Sequence, residues 1–126
     1  HVEELGGTVG SELLKVHRSY LALIQRLHGE GLATGFSHIT GGGIEGNTSR
    51  ILRQEGLRLR IDWEAWDRPA IFDLIQRLGS VPEADMRQTF NLGVGLVVAC
   101  RASDSDRVRR IISEFGDAPI AVGEVV

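Results

Sequence analysis

The spacing of apolar residues predicts a helix close to the start of the chain. Between Ser11 and His28, apolar side chains recur at steps of three and four residues, which places them on one face of a helix. Ser11 is predicted as the N-cap of this helix and Gly29 as its stop. Residues 1–10 are polar and glycine-rich, so they predict a loop.

Two other patterns predict strands. Residues 57–62 alternate strictly between apolar and charged side chains, as in a strand that is buried on one face. Residues 95–100 form a continuous apolar run, which predicts a strand covered on both faces. Shorter strands are predicted over residues 34–39 and 120–122.

The remaining segments predict four helices between these strands. They cover residues 47–53, 69–78, 82–88 and 103–115, with Asn47 and Ser103 as N-caps and with Pro69 and Pro82 at helix starts. Helices and strands are therefore interleaved, and one strand is expected to be buried on both sides. We expect an α+β domain in which one mixed β-sheet is packed with α-helices.

The bulk composition narrows the class of protein. A length of 126 residues fits one domain, and 42% hydrophobic with 25% charged residues is typical of a globular protein. The net charge of −3 argues against sequence-independent nucleic-acid binding, and no apolar run is long enough to span a membrane. The one cysteine, Cys100, excludes an internal disulfide and fits a reducing cytosol. We expect a cytoplasmic protein in which Cys100, Trp63 and Trp66 are packing residues.

A histidine followed by three glycines forms the first candidate site. His38 lies at the end of a predicted strand, and Gly41, Gly42 and Gly43 follow it before a helix start. Consecutive glycines let several backbone N–H groups converge on one ligand, and a helix start adds partial positive charge. This combination suits a phosphate or a carboxylate. The alternatives are a flexible turn for the glycines and a structural role for His38.

Two further groups of residues extend this candidate site. Arg50 falls in the first turn of the helix that Asn47 is predicted to cap, where it is placed for a bidentate contact to phosphate. Thr89 and Asn91 lie at the mouth of the predicted buried strand, before glycines at alternate positions that leave one strand face bare. The alternatives are a surface arginine in the first case and a β-bulge in the second.

The order and spacing of these motifs resemble the aminoimidazole ribonucleotide synthetase family, also called the phosphoribosylformylglycinamidine cyclo-ligases. The most specific parts are the His-Ile-Thr-Gly-Gly-Gly run at residues 38–43 and the Thr-Phe-Asn-x-Gly-x-Gly run at residues 89–95. Between them lie Asn47 and Arg50, an Ile-Asp pair followed by a tryptophan, and a Pro-x-Ile-Phe segment. The resemblance implies that residues 1–126 are the C-terminal domain of such an enzyme.

The chain departs from the family pattern in two segments. The family carries Glu-Asn-x-Pro-Arg after the triple glycine, whereas Gly46 and Ser49 stand here at the glutamate and proline positions. Near the start of the domain the family has Pro-Thr-x-x-Tyr, where this chain has Val16, His17 and Tyr20. A role for the family's glutamate therefore does not carry over.

The resemblance implies an ATP-dependent ring closure in purine biosynthesis. Family members convert formylglycinamidine ribonucleotide and ATP into aminoimidazole ribonucleotide, ADP and phosphate. An N-terminal domain supplies the ATP and Mg²⁺ site and the main contact of a homodimer, and this domain is absent from the chain. The C-terminal domain contributes to the side of the cleft that holds the nucleotide substrate, and no metal site is expected in it. The isolated chain is therefore expected to be inactive.

The resemblance also implies roles for the candidate residues. Gly41–Gly43 would hold an anionic group, with Arg50 paired to it and Asn47 ordering the loop as a helix cap. His38 and Asn91 would face the cleft, with His38 as the candidate proton-transfer group. The competing hypothesis is a stand-alone binding or regulatory module without catalysis. A chain that begins without a methionine favours a fragment of a longer enzyme.

Overall fold

Six α-helices and four short strands make up the fold. The computed structural model describes residues 1–126. The helices are α1 Val9–Leu13, α2 Leu21–Gly29, α3 Gly43–Thr48, α4 Ala70–Gly79, α5 Glu83–Thr89 and α6 Ser105–Glu114. The strands are β1 Ala33–His38, β2 Leu59–Ile61, β3 Leu96–Cys100 and β4 Gly123–Val125, and 3-10 turns lie at Glu3–Leu5, Ser49–Ile51 and Ala102–Asp104. None of the helices has the length and hydrophobicity that a bilayer crossing requires.

The strands form two separate antiparallel pairs. β1 pairs with β3, and β2 pairs with β4. His38 lies opposite Leu96 in the first pair, and Leu59 lies opposite Val125 in the second. The α+β class is confirmed, but the single mixed sheet is wrong. Apolar patterns identify strands, whereas the pairing of strands depends on contacts between distant parts of the chain that a local pattern does not encode.

Helices α2 and α6 cover one face of the β1–β3 sheet. Leu23 and Leu27 of α2 pack with Val108 and Ile111 of α6 around Leu32, and all five side chains are at most 5% exposed. Burying an aliphatic side chain of this size contributes roughly 1.5–3 kcal/mol. This cluster therefore fixes both helices to the sheet.

A second core lies on the other face of this sheet. Ile39, Ile44 and Val94 are buried there against the half-buried rings of Trp63 and Trp66. The Trp66 indole N–H donates to a backbone carbonyl oxygen at 2.9 Å, so its one polar group is satisfied. Both tryptophans are packing residues, as predicted.

The helix predicted from Ser11 to His28 is broken in the middle. α1 ends at Leu13, and residues 15–20 run without helical structure before α2 begins. Within the broken segment, the Arg18 guanidinium pairs with the Asp117 carboxylate at 2.7 Å and also donates to a nearby backbone carbonyl oxygen. The two residues are 99 positions apart, so local periodicity does not reveal their contact.

Two strands differ from the prediction in position or burial. β4 begins at Gly123 rather than at Ile120. The Gly123 backbone approaches Arg60 so closely that a Cβ would lie 3.0 Å from the Arg60 carbonyl carbon, so a glycine is needed where β2 and β4 meet. β3 is half-buried along its whole length rather than covered on both faces.

Candidate functional site

His38 is the last residue of β1, and its side chain is exposed. Two aromatic rings stand next to it. The ring centroid of His17 lies 5.5 Å from that of His38, and the centroid of Tyr20 lies 6.3 Å from it. Both pairs have edge-to-face geometry. These three rings, which we call the aromatic cluster, surround one side of His38 and leave its imidazole exposed.

Tyr20 is seated directly on the backbone before β3. A Cβ at Gly95 would overlap the Tyr20 hydroxyl and lie 3.0 Å from the ring carbon Cζ, so only glycine leaves room for the ring. The pKa of Tyr20 is raised, first by burial and then by the nearby Asp117 carboxylate, while Arg18 opposes the shift. The bare strand face predicted at Gly95 is thus occupied by Tyr20.

The three consecutive glycines differ in their surroundings. Gly42 and Gly43 have φ angles of 104° and 69°, which favour glycine. A Cβ on Gly43 would overlap the Arg87 carbonyl oxygen and lie 2.9 Å from the carbonyl carbon, so the loop packs on the backbone of α5. Gly41 and Gly42 are exposed, and their N–H groups donate to no acceptor in the chain. The loop therefore keeps two free backbone donors.

Asn47 holds this loop from the protein interior. The residue is 5% exposed, and its Nδ2 lies 2.7 Å from the Gly43 oxygen, 3.2 Å from the Thr40 oxygen and 3.3 Å from the Gly41 oxygen. The prediction of Asn47 as a helix N-cap is wrong, because α3 already begins at Gly43 and Asn47 lies near its end. The side-chain amide donates hydrogen bonds to three carbonyl oxygens that precede it in the chain, instead of accepting hydrogen bonds from N–H groups at a helix start.

Arg50 lies beside the same loop, as predicted, but it is not in the first turn of a helix capped by Asn47. It belongs to the 3-10 turn that follows α3, and its Nη1 donates to the Asn47 Oδ1 at 3.3 Å. The Thr40 hydroxyl donates to the same oxygen at 3.4 Å. No carboxylate of the chain pairs with Arg50, so its charge is available to an anion.

Thr89 and Asn91 lie at and just after the end of α5, and their side chains form no hydrogen bond with the glycine loop. Thr89 is the last residue of α5 and is exposed. The Asn91 side-chain oxygen accepts a hydrogen bond from the Gly93 N–H at 2.9 Å, which closes a tight turn. No hydrogen bond joins Thr89 or Asn91 to His38. The structure therefore brings the glycine loop, Asn47 and Arg50 together and leaves Thr89 and Asn91 as a separate group.

A network of charges ties α5 to α4 and to the segment before α4. The Glu83 carboxylate accepts hydrogen bonds from Arg68 at 2.9 Å, from Arg87 at 2.6 Å and from Gln76 at 3.1 Å. The hydrogen bond from Arg68 is the largest cause that lowers the pKa of Glu83 from 4.5 to about 2. The Arg87 guanidinium also lies 4.4 Å from the centroid of the Trp63 ring, in a cation–π contact.

Sequence analysis did not select His17 or Tyr20 as site residues, because helical periodicity continued through their segment. The signal available for them was their place in the segment that aligns with the family's Pro-Thr-x-x-Tyr pattern. Cys100, expected to be buried, is half-buried. Burial, followed by the nearby Asp104 carboxylate, raises the pKa of its thiol, which is the reverse of what an activated cysteine requires.

Comparison with known proteins adds a family context to this geometry. The family described as AIR synthase related protein, C-terminal domain, matches residues 1–126. The phosphoribosylformylglycinamidine cyclo-ligase of Sorangium cellulosum is 45% identical over 127 residues, which cover 99% of this chain and 36% of that protein. The protein of the same name from Desulfitobacterium hafniense is 41% identical over 122 residues, with 97% and 36% covered. That of Caldanaerobacter subterraneus is 37% identical over 126 residues, with 100% and 37% covered. The chain therefore spans little more than a third of the length of these curated relatives.

Proposed function

Because this chain belongs to the AIR synthase related protein C-terminal domain family, we propose that it forms the substrate-side part of an ATP-dependent cyclo-ligase. The reaction converts formylglycinamidine ribonucleotide into aminoimidazole ribonucleotide in purine biosynthesis. The observation that carries the proposal is the similarity, along essentially the whole chain, to relatives named phosphoribosylformylglycinamidine cyclo-ligase. The activity itself belongs to a longer protein, to which these residues contribute one domain.

The proposed reaction needs stabilisation of negative charge. The terminal phosphoryl group of ATP passes to the formamide oxygen of the substrate and ADP leaves. A substrate nitrogen then attacks the activated carbon, and phosphate departs as the ring closes. Anionic oxygens are present at every stage, so fixed N–H donors and a cation are the groups that the protein has to supply.

The glycine loop and Arg50 are suited to this part of the task. The N–H groups of Gly41 and Gly42 are free, and Arg50 carries a charge that no carboxylate neutralises. Asn47 acts indirectly, because its buried amide is occupied by loop carbonyl groups and by Arg50. In this proposal Asn47 orders the loop, and the two glycines with Arg50 contact the anion.

Proton transfer is assigned to His38 in this proposal. Ring closure releases a proton from the attacking nitrogen, and an imidazole nitrogen is a group that accepts such a proton. Support comes from its exposure at the end of β1 and from the edge-to-face rings of His17 and Tyr20 beside it. Thr89 and Asn91 are proposed to line the substrate side of the cleft.

The nucleotide end of the reaction is assigned to the rest of a longer protein. In this proposal, ATP and Mg²⁺ are bound mainly by an N-terminal domain that lies outside these residues. The relatives are nearly three times as long as the matched region, which leaves room for an N-terminal ATP-binding domain and for a homodimer contact. A cytoplasmic location belongs to the same proposal.

A chimaera tests the proposed function. Residues 1–126 replace the matching 36% of the Sorangium cellulosum cyclo-ligase, and aminoimidazole ribonucleotide formation is measured with ATP and substrate. We expect turnover in the chimaera and no substrate-dependent ADP release from the 126-residue chain alone. A chimaera that shows a cooperative thermal transition but makes no product would overturn the proposal and favour a non-catalytic binding or regulatory module.

A further inference from the structure

A wide apolar groove separates the two sheets. Its volume is about 1180 Å³, above the roughly 300–1,000 Å³ of most small-molecule pockets. All of β2, β3 and β4 borders it, together with one side of α6 and the segment that follows α3. We call it the inter-sheet groove. His38, the glycine loop and Arg50 do not border it, whereas Tyr20 of the aromatic cluster does, so the groove adjoins the candidate site without containing its proposed anion-binding groups.

β3 presents a free edge to this groove. The strand pairs with β1 alone, so the N–H and C=O groups along its other edge have no strand partner. Its sequence, Leu-Val-Val-Ala-Cys, contains no charged residue and no proline. An apolar edge strand is a template for pairing with another strand, and proteins normally cover such an edge or break it with charges. The groove therefore has the character of a surface that another segment covers.

Thr48 provides an independent sign of an occupant that forms hydrogen bonds. The residue is 5% exposed and borders the groove. Its Oγ1 is the buried side-chain polar atom that has no hydrogen-bond partner. Leaving a buried hydroxyl unpaired is unfavourable, and a small rotation of the Thr48 side chain toward the groove would let a main-chain carbonyl oxygen of an occupant satisfy it.

The rim of the groove is positively charged. Arg53, Arg101 and Arg109 border it, and none of them pairs with a carboxylate. The acidic residues at the groove, Asp117 and Glu124, are already paired with arginines of the chain. The chain as a whole carries a net charge of −3, so this local excess of positive charge is not a general property of the surface. Acidic side chains on an occupant would complement it.

We propose that the inter-sheet groove binds an extended polypeptide segment from outside these residues, apolar along its length and acidic at its ends, as an added strand beside β3. Main-chain hydrogen bonds to β3 supply affinity, as in other cases of strand addition. Thr48 donates to a carbonyl oxygen of the segment, and the rim arginines pair with its acidic ends. This proposal does not depend on the cyclo-ligase activity.

The test uses a peptide of alternating valine and threonine with two glutamates at each end, and a matched peptide with lysines in place of the glutamates. Cys100 is the one cysteine and borders the groove, so the rate of its alkylation by iodoacetamide reports occupancy. We expect saturable slowing by the glutamate peptide and clearly weaker slowing by the lysine peptide. Equal protection by the two peptides, or none by either, would overturn the proposal.

Charge-reversal variants sharpen this test. Arg101→Glu and Arg109→Glu are each expected to weaken the glutamate peptide by roughly two- to fivefold and to improve the lysine peptide. Arg110→Glu is the matched control, because Arg110 is exposed on α6 beside Arg109 but does not border the groove. If all three variants weakened the glutamate peptide equally, the net charge of the chain would explain the preference. That result would contradict a specific role for the arginines at the rim.

Thr48→Val and the concentration of the chain separate the remaining outcomes. Thr48→Val is expected to weaken the binding of both peptides by the same factor, since it removes a hydrogen-bond donor and no charge. Unchanged binding would contradict the proposed contact.

If a higher concentration of the chain alone slows alkylation and sedimentation shows a dimer, the groove belongs to a second copy of the chain. That result would overturn the assignment to an acidic segment.

Discussion

The backbone of Gly43 rests directly on the carbonyl group of Arg87. Gly43 is buried with a φ of 69°, and any Cβ at this position would overlap the Arg87 oxygen. The glycine loop and α5 therefore form one packed unit. The hydrogen bonds and ion pairs of Glu83 fix α5 in turn. The position of the glycine loop therefore depends on the position of α5.

Gly43→Ala tests this packing. The new methyl group would meet backbone at a positive φ, so we expect a loss of about 3 kcal/mol or more in the free energy of unfolding. Gly41→Ala is the control, because no atom lies within 4 Å of the added methyl and φ is not positive. Urea unfolding measures both variants. Similar losses in the two would show that Gly43 is not a special position.

Glu83 makes the stability depend on acid. Its pKa lies at about 2 instead of 4.5, so the stability from its pairs is complete above pH 4.5 and is lost as the pH falls from there toward 2. The Glu83 side chain is 39% exposed, and screening limits the loss to about 1 kcal/mol. Urea unfolding of wild type and Glu83→Gln should show a difference that shrinks over this range. A difference independent of pH would assign the acid sensitivity to other groups.

Asn47→Asp tests the role of the amide in holding the glycine loop. The carboxylate cannot donate to the carbonyl groups of Thr40, Gly41 and Gly43, so we expect a loss of about 2 kcal/mol despite a new charge pair with Arg50. Thr40→Val removes only the 3.4 Å bond to Asn47 and should cost about 1 kcal/mol or less. Chemical unfolding gives the energies, and NMR shifts of the Gly41 amide report the loop. An undisturbed loop in Asn47→Asp would remove Asn47 from this role.

Gly95 and Tyr20 should behave as a coupled pair. Gly95→Ala places a methyl group on the Tyr20 hydroxyl, and we expect a cost of about 2 kcal/mol. Tyr20→Phe removes the nearest atom, so the double variant should be more stable than the sum of the single changes indicates. A double-mutant cycle by thermal or urea unfolding measures this coupling. Additive effects would mean that the ring moves away from residue 95 at little cost.

His38→Ala addresses catalysis in the chimaera. If His38 transfers a proton, kcat should fall by about 10²–10⁴-fold with a much smaller change in KM. His17→Ala changes a neighbouring exposed imidazole and should have the smaller effect. A kcat for His38→Ala within about threefold of the parent chimaera would leave His38 with a structural role, since proton transfer normally contributes far more.

Local sequence patterns predicted the elements better than their partners. The alternation at residues 57–62 contains β2, and the apolar run at 95–100 contains β3. Both strands are encoded by neighbouring side chains, so a short window is enough to find them. The division into two sheets depends on which distant segments meet, such as Leu59 with Val125, and no local window contains that information.

The candidate site shows the same limit. Among the three consecutive glycines, Gly42 and Gly43 have the positive φ angles that the sequence pattern predicts, and the anion-binding role of the segment stays a prediction. The role of Asn47 was misassigned, since an asparagine followed by a short polar segment resembles a helix start while its amide in fact reaches backward to Thr40. The direction in which a polar side chain forms its bonds is set by the tertiary fold.

The pairing of Arg18 with Asp117 sets an order in which the protein can be assembled. The two residues are 99 positions apart, and closing a flexible loop of that length costs about 4 kcal/mol of chain entropy. Because the chain is synthesised from its N-terminus, His17 and Tyr20 are made long before Asp117, the residue that pairs with Arg18 in their segment. During synthesis, we therefore expect residues 16–20 to lack the Arg18–Asp117 contact until almost the whole of this domain has been made.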